Sequence, residues 1–214
     1  QLSEKAQQYS YESIAITDSA NLFGFLKFYK SVRSKGIKPI AGAEINHVRD
    51  SSSHNEHANL TLIAKNQTGY KNLIKLISKS QIVGKTSGIP VIETEWLAEH
   101  SDGLIALSGG FRGHIGKAVL DTNHDLFLKR IKYFQKIFKE DFILEISRIN
   151  RPQEDLYNDY ILSKAGELGL PVVASNEVRF IDKEDYEAHE TRVCIQKGEV
   201  LSDARRTRSY FEDQ

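Results

Sequence analysis

Short runs of consecutive apolar residues alternate along this chain with longer stretches in which apolar positions recur every three or four residues. The first kind predicts buried strands and the second amphipathic helices. Residues 13–17 read as a strand ending at Asp18. A helix follows, with Leu22, Phe25, Leu26, Tyr29 and Val32 on one stripe. Gly36 is its C-cap, and residues 37–43 predict the next strand, ending at Glu44. Residues 50–57 form a polar loop, 60–64 a strand, and 69–80 a helix carrying Leu73, Ile74 and Ile77 on one face. Residues 104–107 are a strand running into Ser108-Gly109-Gly110. The clearest helix follows, with Phe127, Ile131, Phe134 and Phe138 on one stripe and Lys129, Arg130, Lys132 and Lys136 largely outside it, as a solvated face. Residues 142–146 are a strand bearing Glu145. Asn150 and Pro152 open a helix running to Gly169, and residues 170–174 form a strand ending at Ser175-Asn176-Glu177. This alternation predicts an α/β fold with a mostly parallel sheet.

Composition narrows the class. The 214 residues suit one large domain or two small ones, with 40% hydrophobic and 27% charged residues, as in an ordinary globular protein. The 29 basic and 29 acidic side chains cancel, which argues against a dedicated nucleic-acid binder held by phosphate neutralisation. No apolar run reaches the length of a membrane span. The single cysteine, Cys194, excludes an internal disulfide framework and predicts a reducing, cytoplasmic setting. The start at Gln1 and the absence of methionine read as those of a piece of a longer polypeptide.

A parallel sheet collects its functional groups at the C-terminal ends of its strands. Those ends carry Asp18, Glu44, Ser108, Glu145, Asn176 and Glu177, a set that suits a divalent-metal hydrolase. The histidines match less well. His47, and His54 with His57, lie in or beside the polar loop, while His100, His114 and His124 fall in turns or on helices. His189 is well placed on the helix after Glu177, as a ligand or as a structural histidine. His54-Asn55-Glu56-His57 has a metal-ligand spacing on a serine-rich loop. Cys194, within Arg192-Val193-Cys194-Ile195, reads as a buried inert thiol. There is no nucleophile elbow and no phosphate-binding P-loop. Ser108-Gly109-Gly110 offers backbone amides to an anion, or uses its glycines for steric reasons.

Several strings together carry a stronger signal: Ala15-Ile16-Thr17-Asp18 with Asn21-Leu22-Phe23-Gly24; Gly36-Ile37-Lys38-Pro39-Ile40 with Gly42-Ala43-Glu44; residues 66–73; Leu107-Ser108-Gly109-Gly110; residues 170–176; and residues 185–190. In this order they resemble the PHP (polymerase and histidinol phosphatase) domain family. The form most similar is the one that opens the alpha subunits of proteobacterial replicative polymerases. The resemblance covers essentially the whole chain. It implies a distorted (β/α)7 TIM-like barrel over residues 1–196, followed by a polar segment, 197–214, leading towards polymerase domains.

Metal-binding members of that family are phosphoesterases with ligands at the strand ends. The resemblance places an opening His-x-His strand just ahead of Gln1. It aligns the family's Thr-Asp-His with Thr17-Asp18-Ser19, keeps the glutamate as Glu44, and puts Asn59 where a histidine belongs, with His57 two residues away. A ligating cysteine becomes Gly110, and Asn-Asp-x-His becomes Asn176-Glu177-Val178-Arg179, with His189 beyond. A permanent guanidinium at Arg179 repels divalent metals and suits pairing with Asp18, Glu44 or Glu177. The expectation is a degenerate site with no catalytic residue and no metal. The domain is then a scaffold for the rest of the polymerase subunit and a docking site for its proofreading exonuclease. DNA contact, Mg²⁺ and nucleotidyl transfer belong to other domains of the parent. Helix faces over residues 23–30 and the loop 50–57 are candidate docking faces. The alternatives are a residual phosphoesterase or exonuclease using Asp18, Glu44, Glu177 and His189, and a DNA contact through residues 205–208.

Overall fold

The computed structural model describes residues 1–48, 57–86 and 88–203, with 205, 206, 208, 210 and 212. The elements run α1 (Leu2–Gln8), β1 (Ser13–Ser19), α2 (Phe25–Arg33), β2 (Lys38–Val48), β3 (Ala58–Ala64), α3 (Gln67–Ile82), β4 (Lys85–Thr86) and β5 (Ile89–Glu93). They continue with α4 (Thr94–Glu99), β6 (Leu104–Leu107), α5 (His114–Leu120), α6 (His124–Phe138), β7 (Phe142–Ile146), α7 (Glu154–Leu168), β8 (Val172–Ala174) and α8 (Tyr186–Lys197). The strands form one curled sheet in the order β4-β5-β2-β3-β6-β7-β8, with β1 also on β2. This is the barrel-like α/β architecture expected.

β1–β2, β2–β5, β6–β7 and β7–β8 are parallel, whereas β3 is antiparallel to both β2 and β6. Antiparallel β3 begins where its parallel neighbours end, so Asn59 at its start lies at the same rim as their C-terminal ends. β2 corrects the expected end at Glu44. It continues to Val48, pairing β1 with its first seven residues and β5 with its last three. α7 begins at Glu154 rather than at Asn150 and Pro152, because Asn150 and Gln153 take positive φ, at 59° and 65°, which a helix cannot use.

The main core lies between the sheet and its helices. Phe127, Ile131, Phe134 and Phe138 are all buried there against β2, β3, β6 and β7 residues. His47 belongs to this layer and not to a polar loop. It is fully buried on β2, with Nδ1 3.1 Å from His114 Nε2. Residues 50–56 lie outside the described residues. A smaller cluster joins α1 to α2 through Ala6, Phe28, Val32 and Ile37, with Ile14 and Ile16 of β1 packed on it. Among the described residues β1 pairs on one side only, β8 ends the sheet at the other extreme, and Lys5 of α1 pairs with Asp182 beyond β8. Among the described residues no helix is long and apolar enough to cross a membrane.

Candidate functional site

Glu44 within β2, the strand ends of β6, β7 and β8, and the start of β3 surround a small cleft lined also by Asn59, Gly110, Arg112, Glu145 and Glu177, among others. Its floor depends on one glycine. Gly109 has φ 77°, and a Cβ there would sit 2.0 Å from the Asn59 carbonyl oxygen, so only glycine lets β6 turn this close to β3. The steric reading of Ser108-Gly109-Gly110 therefore holds at Gly109. Ser108 is itself buried, and its Oγ accepts the Glu145 backbone N–H at 3.0 Å.

Two glutamates organise the charge. Asn59 donates to Glu44 Oε1 across the β2–β3 ladder, and Arg179 Nη2 donates to Glu44 Oε2 at 3.1 Å. Arg112 donates to Glu177 Oε2 and Arg151 Nη1 to Glu177 Oε1 at 3.1 Å, while Arg112 also stands 4.0 Å from Glu44. Burial alone would raise the Glu177 carboxyl. The Arg151 hydrogen bond and the charges of Arg112, Arg151 and Arg179 outweigh it and hold the group below the usual carboxylate range. Glu145 behaves oppositely. Burial pushes its carboxyl up and the charges of Glu177 and Glu44 add to this, against the hydrogen bond donated by Ser175. Three guanidiniums thus surround Glu44 and Glu177, with Glu145 buried beside them.

The positions singled out in the sequence thus separate into groups. Glu44, Asn59, Gly110, Glu177 and Arg179 come together around the cleft. Asp18 does not join them. Strand side chains alternate faces, and Asp18 shares the outward face of β1 with Ile14 and Ile16, where its Oδ2 would lie 2.9 Å from a Cβ on Gly24 of the α2 approach. Ser19 stands opposite Glu44 in the ladder but is exposed. His189 lies on α8, its ring edge-on to Tyr210 at 4.7 Å and 5.8 Å from Phe180, and its buried Nε2 has no hydrogen-bond partner among the described residues. Burial lowers its pKa. Its link to the cleft is indirect, since Arg179 stacks over the same Tyr210 ring at 5.7 Å. Arg112 and Arg151 were not singled out. Their signal was position, a few residues beyond the ends of β6 and β7, where a parallel sheet gathers its functional groups.

The tail changes the reading of the basic run. Arg206 and Glu190 form a buried ion pair, 6% and 2% exposed, and Arg205 pairs with Asp203 at 2.9 Å. Arg206 is committed to α8 and is not available to a phosphate backbone. Cys194 is buried, as expected for an inert thiol.

These residues do not fit the divalent metal that the fold's strand-end clusters would hold. The two central carboxylates are each gripped by guanidinium, and an amide takes one Glu44 oxygen, so their oxygens already have cationic or amide partners.

The PHP domain family model matches residues 1–149. DNA polymerase III subunit alpha of Vibrio cholerae is 42% identical over 213 residues, covering 100% of this chain and 18% of that protein. The Escherichia coli K12 protein of the same name matches with the same figures, and that of Buchnera aphidicola is 38% identical over 214 residues. The chain spans 18% of the length of these relatives. Among solved structures, a candidate metal-dependent phosphoesterase from Bifidobacterium adolescentis superposes with a TM-score of 0.54 at 12% identity, covering 81% of this chain and 79% of that one. At that identity the likeness is one of fold.

Proposed function

Because this chain belongs to the PHP domain family, we propose that it serves as a non-catalytic scaffold within a replicative DNA polymerase alpha subunit and docks the proofreading exonuclease. One observation carries the reading: arginines occupy the carboxylates that a metal centre needs. Arg179 holds Glu44, and Arg112 with Arg151 holds Glu177. A guanidinium stays charged at every physiological pH and cannot ligate a cation, so the cluster is a lattice of ion pairs in place of ligands. The identity of 42% to polymerase alpha chains supports placing it in such a subunit in the cytoplasm, with Mg²⁺ and nucleotidyl transfer assigned to other domains.

Elemental analysis of the purified protein, run beside a phosphatase assay in Mn²⁺, Mg²⁺ and Zn²⁺, tests the first half. Sub-stoichiometric metal and no turnover are expected. Stoichiometric tight metal with turnover would overturn it in favour of a phosphoesterase using Glu44 and Glu177. Co-purification of the intact alpha subunit with purified exonuclease, with and without this region, tests the docking half.

A further inference from the structure

We propose that the adjoining faces of α2 and α3 form a docking surface for an acidic segment of another protein that also carries apolar side chains. The starting point is how charge is distributed in a chain whose totals cancel. Residues 19–43 carry five Lys or Arg and residues 64–92 carry five more, with no Asp or Glu in either stretch. The rest of the chain is correspondingly acidic, so neutrality here is the sum of two unlike surfaces.

The fold brings the two basic stretches together. The rings of Phe25 on α2 and Tyr70 on α3 lie 5.6 Å apart, and Gln81 Nε2 donates to the Ala20 carbonyl at 2.9 Å. Lys27, Lys30, Lys71 and Lys75 are exposed, and none of them pairs with a carboxylate among the described residues. Apolar side chains share these elements: Phe23 is 92% exposed, Leu26 64% and Ile82 82%, with Ile74 also open. Phe23 is presented from a fixed loop. Asn21 donates to the Ser19 carbonyl at 2.9 Å and accepts the Phe23 N–H at 3.0 Å, while Gln81 anchors Ala20.

The mixture selects the occupant. A nucleic-acid duplex draws its affinity from phosphates and gains nothing from Leu26, Ile74 and Ile82. A single strand would stack on Phe23 but has no use for three aliphatic side chains. A protein segment with Asp or Glu flanking Leu or Phe satisfies both properties at once, its carboxylates against the lysines and its apolar side chains over the patch. This surface lies on the helix layer and does not depend on the exonuclease reading of the scaffold.

The intact polypeptide carrying this chain is titrated, by fluorescence anisotropy, with a labelled peptide in which Glu and Asp flank Leu and Phe at helical spacing. A scrambled peptide of the same composition and a labelled oligo-dT serve as competitors. Saturable binding of the patterned peptide is expected, weakening as salt rises. Phe23→Ser, and separately Lys27→Glu with Lys30→Glu, should each weaken it at least about tenfold. Both variants alter exposed side chains and leave folding intact. Lys132→Glu with Lys136→Glu on α6 should leave binding unchanged. Equal binding of the scrambled peptide, wild-type affinity in the α2 variants, or tighter binding of oligo-dT than of the peptide would each overturn the proposal.

Discussion

Replacing Glu177 by glutamine removes one charge from the point where two guanidiniums converge. Arg112 reaches one carboxylate oxygen and Arg151 the other at 3.1 Å, and the Arg151–Glu177 pair is largely buried. Glutamine keeps the shape and one acceptor oxygen but turns an amide NH₂ towards the second guanidinium. One charge-assisted hydrogen bond is lost and the other weakened. Hydrogen bonds to charged groups contribute about 1.5–3 kcal/mol each, and the open position of Arg112 lets water recover part of its share. The expected loss is therefore about 2–4 kcal/mol, a fall in Tm of roughly 4–16 °C for a domain of this size. Urea unfolding of wild type and variant from pH 7 downwards adds a second signature. The folded Glu177 carboxyl lies below its ordinary value of 4.5. Such a group stabilises fully above that value and loses its contribution as pH falls through the lower folded one. The gap between the two proteins should stay level near neutrality and close below pH 4.5. A difference under about 1 kcal/mol at pH 7, or one that persists undiminished in acid, would refute the ion-pair lattice.

Other expectations follow from the same geometry. Arg206→Ala leaves Glu190 buried without its cation, where Oε1 already has no partner among the described residues, and should lower the unfolding midpoint. Glu190→Leu with Arg206→Met should recover most of that, and a urea double-mutant cycle without coupling would contradict the pair. Gly36→Ala and Gly109→Ala both place alanine at positive φ, 76° and 77°, but only position 109 meets a backbone oxygen at 2.0 Å. The first should cost about 1 kcal/mol and the second at least twice that, read from denaturation midpoints. Glu145 has a raised carboxyl, so wild-type stability falls as pH rises from 4.5 through the higher folded value. Glu145→Gln removes that slope and keeps the hydrogen bond from Ser175. The variant should gain on wild type as pH rises above 4.5, and parallel curves would count against the burial argument.

Much of this architecture was legible because its strands are continuous apolar runs and its helices are long. The stripe Phe127, Ile131, Phe134, Phe138 is buried throughout, and β6 and β7 occupy the residues their apolar runs mark. Short elements escaped. α1 is mostly polar, α4 spans six residues, and α5 carries Gly116 within seven, so none offers a full helical stripe. Strand direction leaves no mark on periodicity, and antiparallel β3 is what sets Asn59 beside Glu44. Strand-end acids pointed to Glu44 and Glu177, and the family resemblance to Asn59 and Arg179. Arg112 and Arg151 reach them across turns whose geometry a linear pattern does not contain. Asp18 is different: its place at the strand end read as a site position, but side-chain alternation along β1 puts it on the helix-facing side with Ile14 and Ile16.

Among the described residues no ladder joins β1 to β8, so the curled sheet has a seam between them. No residue of β1 is fully buried, and β8 is only three residues long with Pro171 just before it. Lys5–Asp182 reaches across this seam, a partly exposed ion pair of the kind that contributes little and weakens with salt. Of the two strands at the seam, β8 is blunted by brevity and proline, whereas β1 is seven residues long. Opening of the molecule should therefore begin at the seam, with amide exchange fastest along β1 and accelerated by ionic strength.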